Sequence, residues 1–159
     1  MVALLPVLTA VEGDELAPEV PDATPSRLRS VQYLSDEWID ALDVAARTDE
    51  ALGELAAHDG LVLQQVVRWP DGRETAFHIV LQGGSAAVRR GTAADASVTL
   101  TTDLDTAAAI ARGELSARLA FLRGSLRIGG DVRVLMAHRD LLTRVGDVFA
   151  GVREQTTWP

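Results

Sequence analysis

The chain has 159 residues, a length that suits one domain, and a formal net charge of −8. All 15 basic residues are arginine, which excludes Schiff-base chemistry and a lysine-dependent phosphate loop, and the absence of cysteine excludes disulfides and thiolate chemistry. The acidic balance argues against nucleic acid as a partner, because phosphate binding needs a basic surface. The apolar runs are too short to cross a bilayer, so we expect no stable membrane insertion and a cytoplasmic location.

The first 27 residues are predicted to form a flexible tail and linker, and residues 28–159 are predicted to form the folded domain. Residues 1–11 are apolar but have no basic stretch before them, so they do not indicate a signal peptide. Residues 12–25 contain three prolines and five acidic residues, a composition typical of linkers. Two interpretations of residues 1–11 stay open: disorder, and docking onto an apolar groove of this chain or of a partner.

Residues 36–57 show the apolar spacing of an amphipathic helix. Ser35 is expected to be its N-cap, with Asp36 and Glu37 favourably placed in the positive first turn. His58 and the glycine two residues later are expected to end it. The sequence therefore predicts one long helix ahead of the first strand.

Four strand-like runs follow in succession, and apolar and polar residues alternate in them with a period of two. They cover residues 61–69, 75–82, 85–90 and 96–102. In the Pro-Asp-Gly-Arg turn after the first run, proline presets φ and glycine permits a positive φ. Because the connections are tight, the pattern predicts an antiparallel meander with one apolar face and one mixed face.

Two short helices are predicted next. Thr102 or Asp103 is expected to cap the first helix, and Ser116 is expected to cap the second, which covers residues 117–123. Residues 119–122 are all apolar and cover every side of the second helix. We therefore expect apolar groups on more than one side of this helix, either a sheet and another helix or, on one side, a cavity.

A fifth strand, with apolar residues at positions 126 and 128, leads to the last predicted element. This element is one amphipathic helix of about 20 residues that begins after Asp131 and is long enough to cross the sheet. Its wide apolar face is interpreted either as a packing surface or, in part, as the wall of a ligand site.

The sequence contains no catalytic or metal-binding pattern that we can identify. His58, His78 and His138 do not have the spacing of metal ligands. His138 lies on the apolar side of the last helix, where a lone histidine is expected to be a satisfied core or pocket-edge residue. Asp103 and Asp105 look like paired carboxylates, but helix capping explains both. We therefore predict no catalytic residue, no metal and no cofactor.

Three runs carry a family resemblance: V-T-L-T-T-D at residues 98–103, A-R-G-E-L-S at 111–116 and A-F-L-R-G-S-L-R-I-G-G-D at 120–131. They resemble the sterol carrier protein 2 (SCP-2) family, and the match continues in register from about residue 61. The resemblance implies an α+β fold with a five-stranded, mainly antiparallel sheet and helices packed on one face. The arginine-only, alanine-rich composition is typical of a bacterial member.

The resemblance also implies an apolar tunnel between sheet and helices that holds fatty acyl chains, acyl-CoA, sterols or similar lipids. The first hypothesis is therefore a non-catalytic carrier whose partner is a lipid or another apolar small molecule. Arg112, Arg118 or Arg123 could meet a carboxylate or phosphate headgroup at the mouth. The candidate walls of the ligand site are Phe77, Ile79, Val98, Leu100, Leu119, Phe121, Leu122, Ile128, Leu135 and Met136.

Two other hypotheses stay open. The domain could be an interaction or scaffold module with a filled pocket, forming a homodimer or acting as the partner of a lipid-metabolising enzyme. It could also be an enzyme that uses its histidines, the least supported of the three. Arginine in place of the lysine-rich surface of the family weakens the case for direct membrane docking.

Overall fold

The structure is a computed structural model that describes residues 30–58 and 60–159. The predicted tail at residues 1–27, and with it the docking hypothesis for residues 1–11, lies outside the described residues. The strands are β1 (Val31–Gln32), β2 (Leu61–Arg68), β3 (Glu74–Gln82), β4 (Ser85–Arg90), β5 (Val98–Asp103), β6 (Leu126–Gly130) and β7 (Thr156–Thr157). The helices are α1 (Asp36–Thr48), α2 (Glu50–His58), α3 (Leu104–Ala111), α4 (Ala117–Leu122), α5 (Val132–Ala137) and α6 (Arg139–Glu154).

Strands β2 to β6 form one sheet in the order β4-β3-β2-β5-β6. β2 and β5 are parallel, and the other three neighbouring pairs are antiparallel. Helices pack against this sheet, and their buried apolar side chains form one cluster with those of the strands. The predicted α+β fold with a five-stranded, mainly antiparallel sheet is therefore confirmed.

The fourth strand does not extend the antiparallel meander, and this part of the prediction is wrong. β2, β3 and β4 form the meander, but β5 pairs in parallel with β2 on its other side. The loop at residues 91–97 carries the chain back across the sheet, and the buried side chain of Gln64 holds it. Gln64 Oε1 accepts from the backbone N–H of Ala93 at 2.7 Å, and Gln64 Nε2 donates to the carbonyl of Gly91 at 3.3 Å. Alternation assigns residues to faces but not strands to neighbours, so the pattern alone does not reveal the crossover.

Four of the predicted N-caps accept hydrogen bonds from first-turn N–H groups, at distances between 2.7 and 3.2 Å. They are Ser35 of α1, Asp103 of α3, Ser116 of α4 and Asp131 of α5. Of the two candidates at the start of α3, Asp103 takes the role and Thr102 remains within β5. These helix starts agree with the sequence because capping is a local interaction.

Both long helices of the prediction are interrupted, which corrects the sequence interpretation. α1 and α2 are separated at Asp49, whose backbone is extended and whose carboxylate accepts from the Leu52 N–H at 2.8 Å. The same carboxylate forms a forked ion pair with Arg144 of α6, with Nε and Oδ1 3.0 Å apart. α5 and α6 are separated at His138, whose Nδ1 is hydrogen-bonded to the carbonyl of Val134 at 2.8 Å. The apolar periodicity continues through both breaks and therefore does not reveal them.

A second, two-stranded sheet joins the two ends of the described chain. β1 and β7 pair in parallel, with Val31 opposite Thr156. Trp38 Nε1 donates to Thr156 Oγ1 at 3.1 Å, and the rings of Trp38 and Tyr33 lie edge to face with centroids 5.0 Å apart. The sequence pattern predicts neither strand, because strands of two residues show no alternation.

Candidate functional site

The predicted walls that come from the strands lie on one face of the sheet, which we call the interior face. Phe77, Ile79, Val98 and Leu100 define this face, and all four are buried. The register brings them together, since Leu63 of β2 lies opposite Ile79 on one side and Val98 on the other. All five side chains belong to the single core cluster. These five side chains therefore form an apolar cluster packed within the molecule.

A second cross-strand row of the interior face contains a polar residue that the sequence analysis missed. Gln65 of β2 lies between Phe77 and Leu100, and half-buried Ile128 follows on β6. Gln65 is only 4% exposed, and its Oε1 has no hydrogen-bond partner among the described residues. The period-two alternation over residues 61–69 places position 65 on the apolar face. This alternation could therefore have identified Gln65 from the sequence.

Another buried polar group without a partner lies on the same face. Thr102 follows Leu100 by two residues on β5, so both side chains point to one side of the sheet. Thr102 is 5% exposed, and its Oγ1 has no hydrogen-bond partner in the described part of the chain. Because most buried polar groups in folded proteins are hydrogen-bonded, these two atoms distinguish the interior face from an ordinary core.

The apolar residues on α4 and at the edges of α5 are exposed instead of buried. α4 buries only Ala117 and Ala120. The expectation that apolar groups cover α4 on more than one side is therefore wrong. We call the exposed residues of the two helices the apolar patch, and between 38% and 72% of each is exposed: Leu119, Phe121, Leu122, Val132 and Met136.

The apolar patch lies beside the strands that carry the interior face. α4 contacts β6, and α5 contacts β5. Leu135, the remaining predicted wall residue, is buried on α5 and belongs to the core cluster. Among the residues that the structure describes, the other large apolar side chains that are exposed are Val44 and Leu55. Exposed apolar surface is thus concentrated on the two short helices that flank β6.

The three arginines considered for a headgroup differ in their surroundings. Arg112 forms an ion pair with Glu114 at 2.9 Å, and its guanidinium lies 6.0 Å from the centroid of the Trp158 ring. Arg118 and Arg123 are exposed on and just after α4. α4 therefore presents basic and apolar side chains together at the surface.

Two of the three histidines contact backbone carbonyls. His78 Nδ1 lies 2.9 Å from the carbonyl of Gly91, and the His138 ring is bound to its own helix as described above. Beside the apolar patch, the hydrogen bonds from Arg133 hold the pKa of Asp131 below its ordinary value. Over residues 30–58 and 60–159, no group of three histidine, aspartate or glutamate side chains is placed to hold a metal ion. The chemistry that the site offers is apolar contact.

A surface groove of about 610 Å³ lies elsewhere, between α1, α2 and β4. Its lining is mixed, with small residues such as Ala46 and Gly53 beside charged ones such as Glu54 and Arg89. None of the ten predicted wall residues lines it.

The helices that the structure describes include none with the length and hydropathy needed to cross a membrane.

Solved structures share the fold. A crystal structure of sterol carrier protein 2 matches at 22% identity with a TM-score of 0.57, covering 77% of this chain and 98% of that one. A conserved hypothetical protein from Thermus thermophilus matches at 24% identity with a TM-score of 0.55, covering 80% of this chain and 92% of that one. At these identities the likeness establishes the architecture alone.

The same fold also occurs within a much longer chain. A double mutant of the sec-alkyl sulfatase PisA1 from a Pseudomonas species matches at 23% identity with a TM-score of 0.50. The match covers 72% of this chain but only 17% of the sulfatase chain.

No curated protein sequence matches the chain significantly. The model of the SCP-2 sterol transfer family matches residues 40–143, which is more than half of the sequence, and the chain therefore belongs to this family.

Proposed function

We propose that this protein is a small cytoplasmic, non-catalytic carrier that binds an apolar lipid between the interior face of the sheet and helices α4 and α5. The ligand would be a fatty acid, an acyl-CoA or a sterol-like molecule. Membership of the SCP-2 family supports lipid binding in general. The observation that carries the proposal for this chain is the apolar patch, because apolar surface concentrated beside a buried apolar face is typical of a ligand site.

Desolvation of the ligand supplies the driving force. Burial of one methylene contributes about 0.8 kcal/mol, so a chain of about 14 methylenes gives about 11 kcal/mol before the costs of association. Those costs are about 4 kcal/mol or more. The remaining 7 kcal/mol or so corresponds to a dissociation constant of roughly 10 µM. Chain-length selectivity would be weak, because one methylene more or less changes the affinity only modestly.

The first test is native mass spectrometry of the purified protein, followed by mass analysis of its organic extract. A stoichiometric adduct with the mass of a fatty acid, phospholipid or sterol-like molecule is the expected result and would name the ligand class. A clean apo mass that persists after incubation with mixed lipids would overturn the proposal.

A charge in the apolar patch should weaken lipid binding strongly. Phe121→Asp places a carboxylate where the bound hydrocarbon would lie, and burying an unpaired charge is costly. Because Phe121 is exposed, the variant should fold normally and its lipid affinity should fall at least tenfold. Val44→Asp is the matched control, since Val44 is an exposed apolar residue of α1 outside the patch. Equal affinities of the two variants would show that Phe121 does not line the site.

A second function, an interaction module, is favoured by the tight burial of the interior face. Phe77, Ile79, Val98 and Leu100 already pack within the core, as they would in a filled pocket. The apolar patch would then bind a protein, with a second copy of this chain as the simplest partner. A molar mass that doubles with concentration, together with the absence of bound lipid, would support this function over the carrier.

A further inference from the structure

Two neighbouring glutamines of β2 have opposite surroundings. Gln64 and Gln65 are both buried. The amide of Gln64 is fully engaged in holding the crossover loop, and it also donates to the carbonyl of Phe77 at 3.1 Å. Gln65 points to the other face of the sheet, and its Oε1 has no partner among the described residues. A buried acceptor without a donor lowers the stability of the fold. We therefore look for a role of the Gln65 amide other than packing.

The second unpartnered atom lies on the neighbouring strand, diagonal to Gln65. Gln65 is paired with Leu100, so Thr102 is its diagonal neighbour on the interior face of the adjacent strand. Strand spacing and residue rise put the two Cα atoms roughly 8 Å apart. The glutamine side chain can extend along this diagonal, and one oxygen atom with two hydrogen bonds of about 2.8 Å can bridge the remaining gap.

The two groups together need a partner that donates a hydrogen bond to Gln65 Oε1 and forms a second hydrogen bond, in either direction, with Thr102 Oγ1. Gln65 Oε1 is an acceptor and needs a donor, whereas the Thr102 hydroxyl can donate as well as accept. An ionised carboxylate cannot donate to Oε1, and in a buried place it would need a cation. The cross-strand row of Gln65 contains an arginine at its outer end, Arg90, but Arg90 is held by Asp36 and Asp40 at 3.3 and 2.6 Å.

We propose that Gln65 and Thr102 form a recognition site for the hydroxyl group of a neutral lipid alcohol bound against the interior face. The ligand hydroxyl donates to Gln65 Oε1 and accepts from Thr102 Oγ1, while its hydrocarbon part contacts the surrounding apolar residues. This inference rests on the proposed carrier function and makes it specific, because it selects alcohols over fatty acid anions.

The test compares three ligands with the same hydrocarbon chain: 1-hexadecanol, its methyl ether and hexadecanoate. Affinities are measured directly with tritiated 1-hexadecanol and tritiated hexadecanoate, and by competition for the ether. The ether can accept from Thr102 but cannot donate to Gln65. We expect the alcohol to bind about tenfold more tightly than either of the other two, the loss for one unmade hydrogen bond to a buried partner.

Gln65→Leu should bring the affinities for the alcohol and the ether to within twofold of each other, with no loss of thermal stability. Thr102→Val should weaken alcohol binding severalfold and provides a second test if Gln65→Leu does not fold. Thr101→Val, on the opposite face of β5, is the control and should leave selectivity unchanged. Equal binding of alcohol and ether by the wild type, or tighter binding of hexadecanoate, would overturn the hydroxyl site while leaving the carrier function intact. Failure of all three probes to bind would overturn the hydroxyl site, and native mass spectrometry would then decide the carrier function separately.

Discussion

Asp49 combines three roles in a single side chain. Its extended backbone ends α1, its carboxylate caps α2, and the same carboxylate is paired with the guanidinium of Arg144. The hydrogen bonds from Arg144, above all, hold the pKa of Asp49 below its ordinary value of 3.8. The residue therefore fixes the angle between two helices and connects both to α6.

The stability that Asp49 supplies should depend on pH. Because its pKa is lower in the folded protein than in the unfolded chain, this contribution is present above pH 3.8 and is lost as the pH falls through the lowered pKa. Asp49→Asn keeps a capping oxygen but removes the charge. In urea titrations we expect the variant to be less stable than the wild type at pH 7 and the difference to shrink toward pH 3. A difference of the same size at both pH values would contradict the assignment, since the other acidic groups are common to both proteins.

The buried glutamines show what residue patterns can and cannot reveal. Period-two alternation correctly places Phe77, Ile79, Val98 and Leu100 on one face, because strand geometry alone decides this. The same rule places Gln65 among them, although a polar residue in an apolar row is easily read as an interruption. Whether the Gln65 amide oxygen finds a hydrogen-bond partner depends on side chains from neighbouring strands. A local sequence pattern contains no information about those side chains.

At the scale of elements, the last residue of β6 is a position that requires glycine. Gly130 has a φ of +87°, and a Cβ added there would lie 2.5 Å from the carbonyl oxygen of Ser97. Gly129 has no such backbone requirement, and a Cβ there would make an ordinary contact with Thr99 at 3.7 Å. The two adjacent glycines therefore differ sharply in what they tolerate.

Gly130→Ala should lower the free energy of unfolding by about 2 kcal/mol or more, from left-handed backbone strain and the overlap with Ser97. Gly129→Ala is the matched variant and should change the free energy of unfolding by less than about 0.5 kcal/mol. Alanine lowers the entropy of the unfolded chain, and this gain offsets the small shifts needed to fit the methyl group. Chemical denaturation of both proteins measures the contrast. Equal effects would mean that the β6 turn is looser than the structure indicates.

Helix starts were predictable and helix interruptions were not, for a physical reason. A cap such as Ser35 or Ser116 acts on N–H groups within three residues, so the sequence contains the whole interaction. The break at Asp49 depends on Arg144, which is 95 residues away. The exposure of the α4 side chains likewise depends on how α4 packs beside β6. The four successive apolar residues 119–122 do not predict this packing.

At the scale of the molecule, the largest unpredicted feature is the contact between the two ends of the described chain. Trp38 is buried, and its indole N–H is satisfied by Thr156 on the two-stranded sheet. The Trp38 ring also packs edge to face on Phe77, with centroids 5.6 Å apart. Through Trp38 the two ends of the described chain thus connect directly to the proposed ligand wall.

Thr156→Val should destabilise the protein by about 1–3 kcal/mol, because it leaves the buried Trp38 N–H without an acceptor. In a Trp38→Phe background, which has no indole N–H, the same substitution should cost clearly less. The double-mutant cycle, measured by urea unfolding, gives the coupling between the two residues. A coupling near zero would show that the hydrogen bond contributes nothing to stability.

Closure of the ends also sets an order of assembly. Trp38 and Thr156 are 118 residues apart, and at about 5–20 residues per second a ribosome needs roughly 6–24 s to synthesise the chain between them. Hairpins such as β2–β3 form in about 1–10 µs. The β2–β4 meander can therefore be complete while the indole N–H of Trp38 still lacks its acceptor, Thr156. During these seconds the nascent domain exposes Trp38 to chaperones and to other unfinished chains.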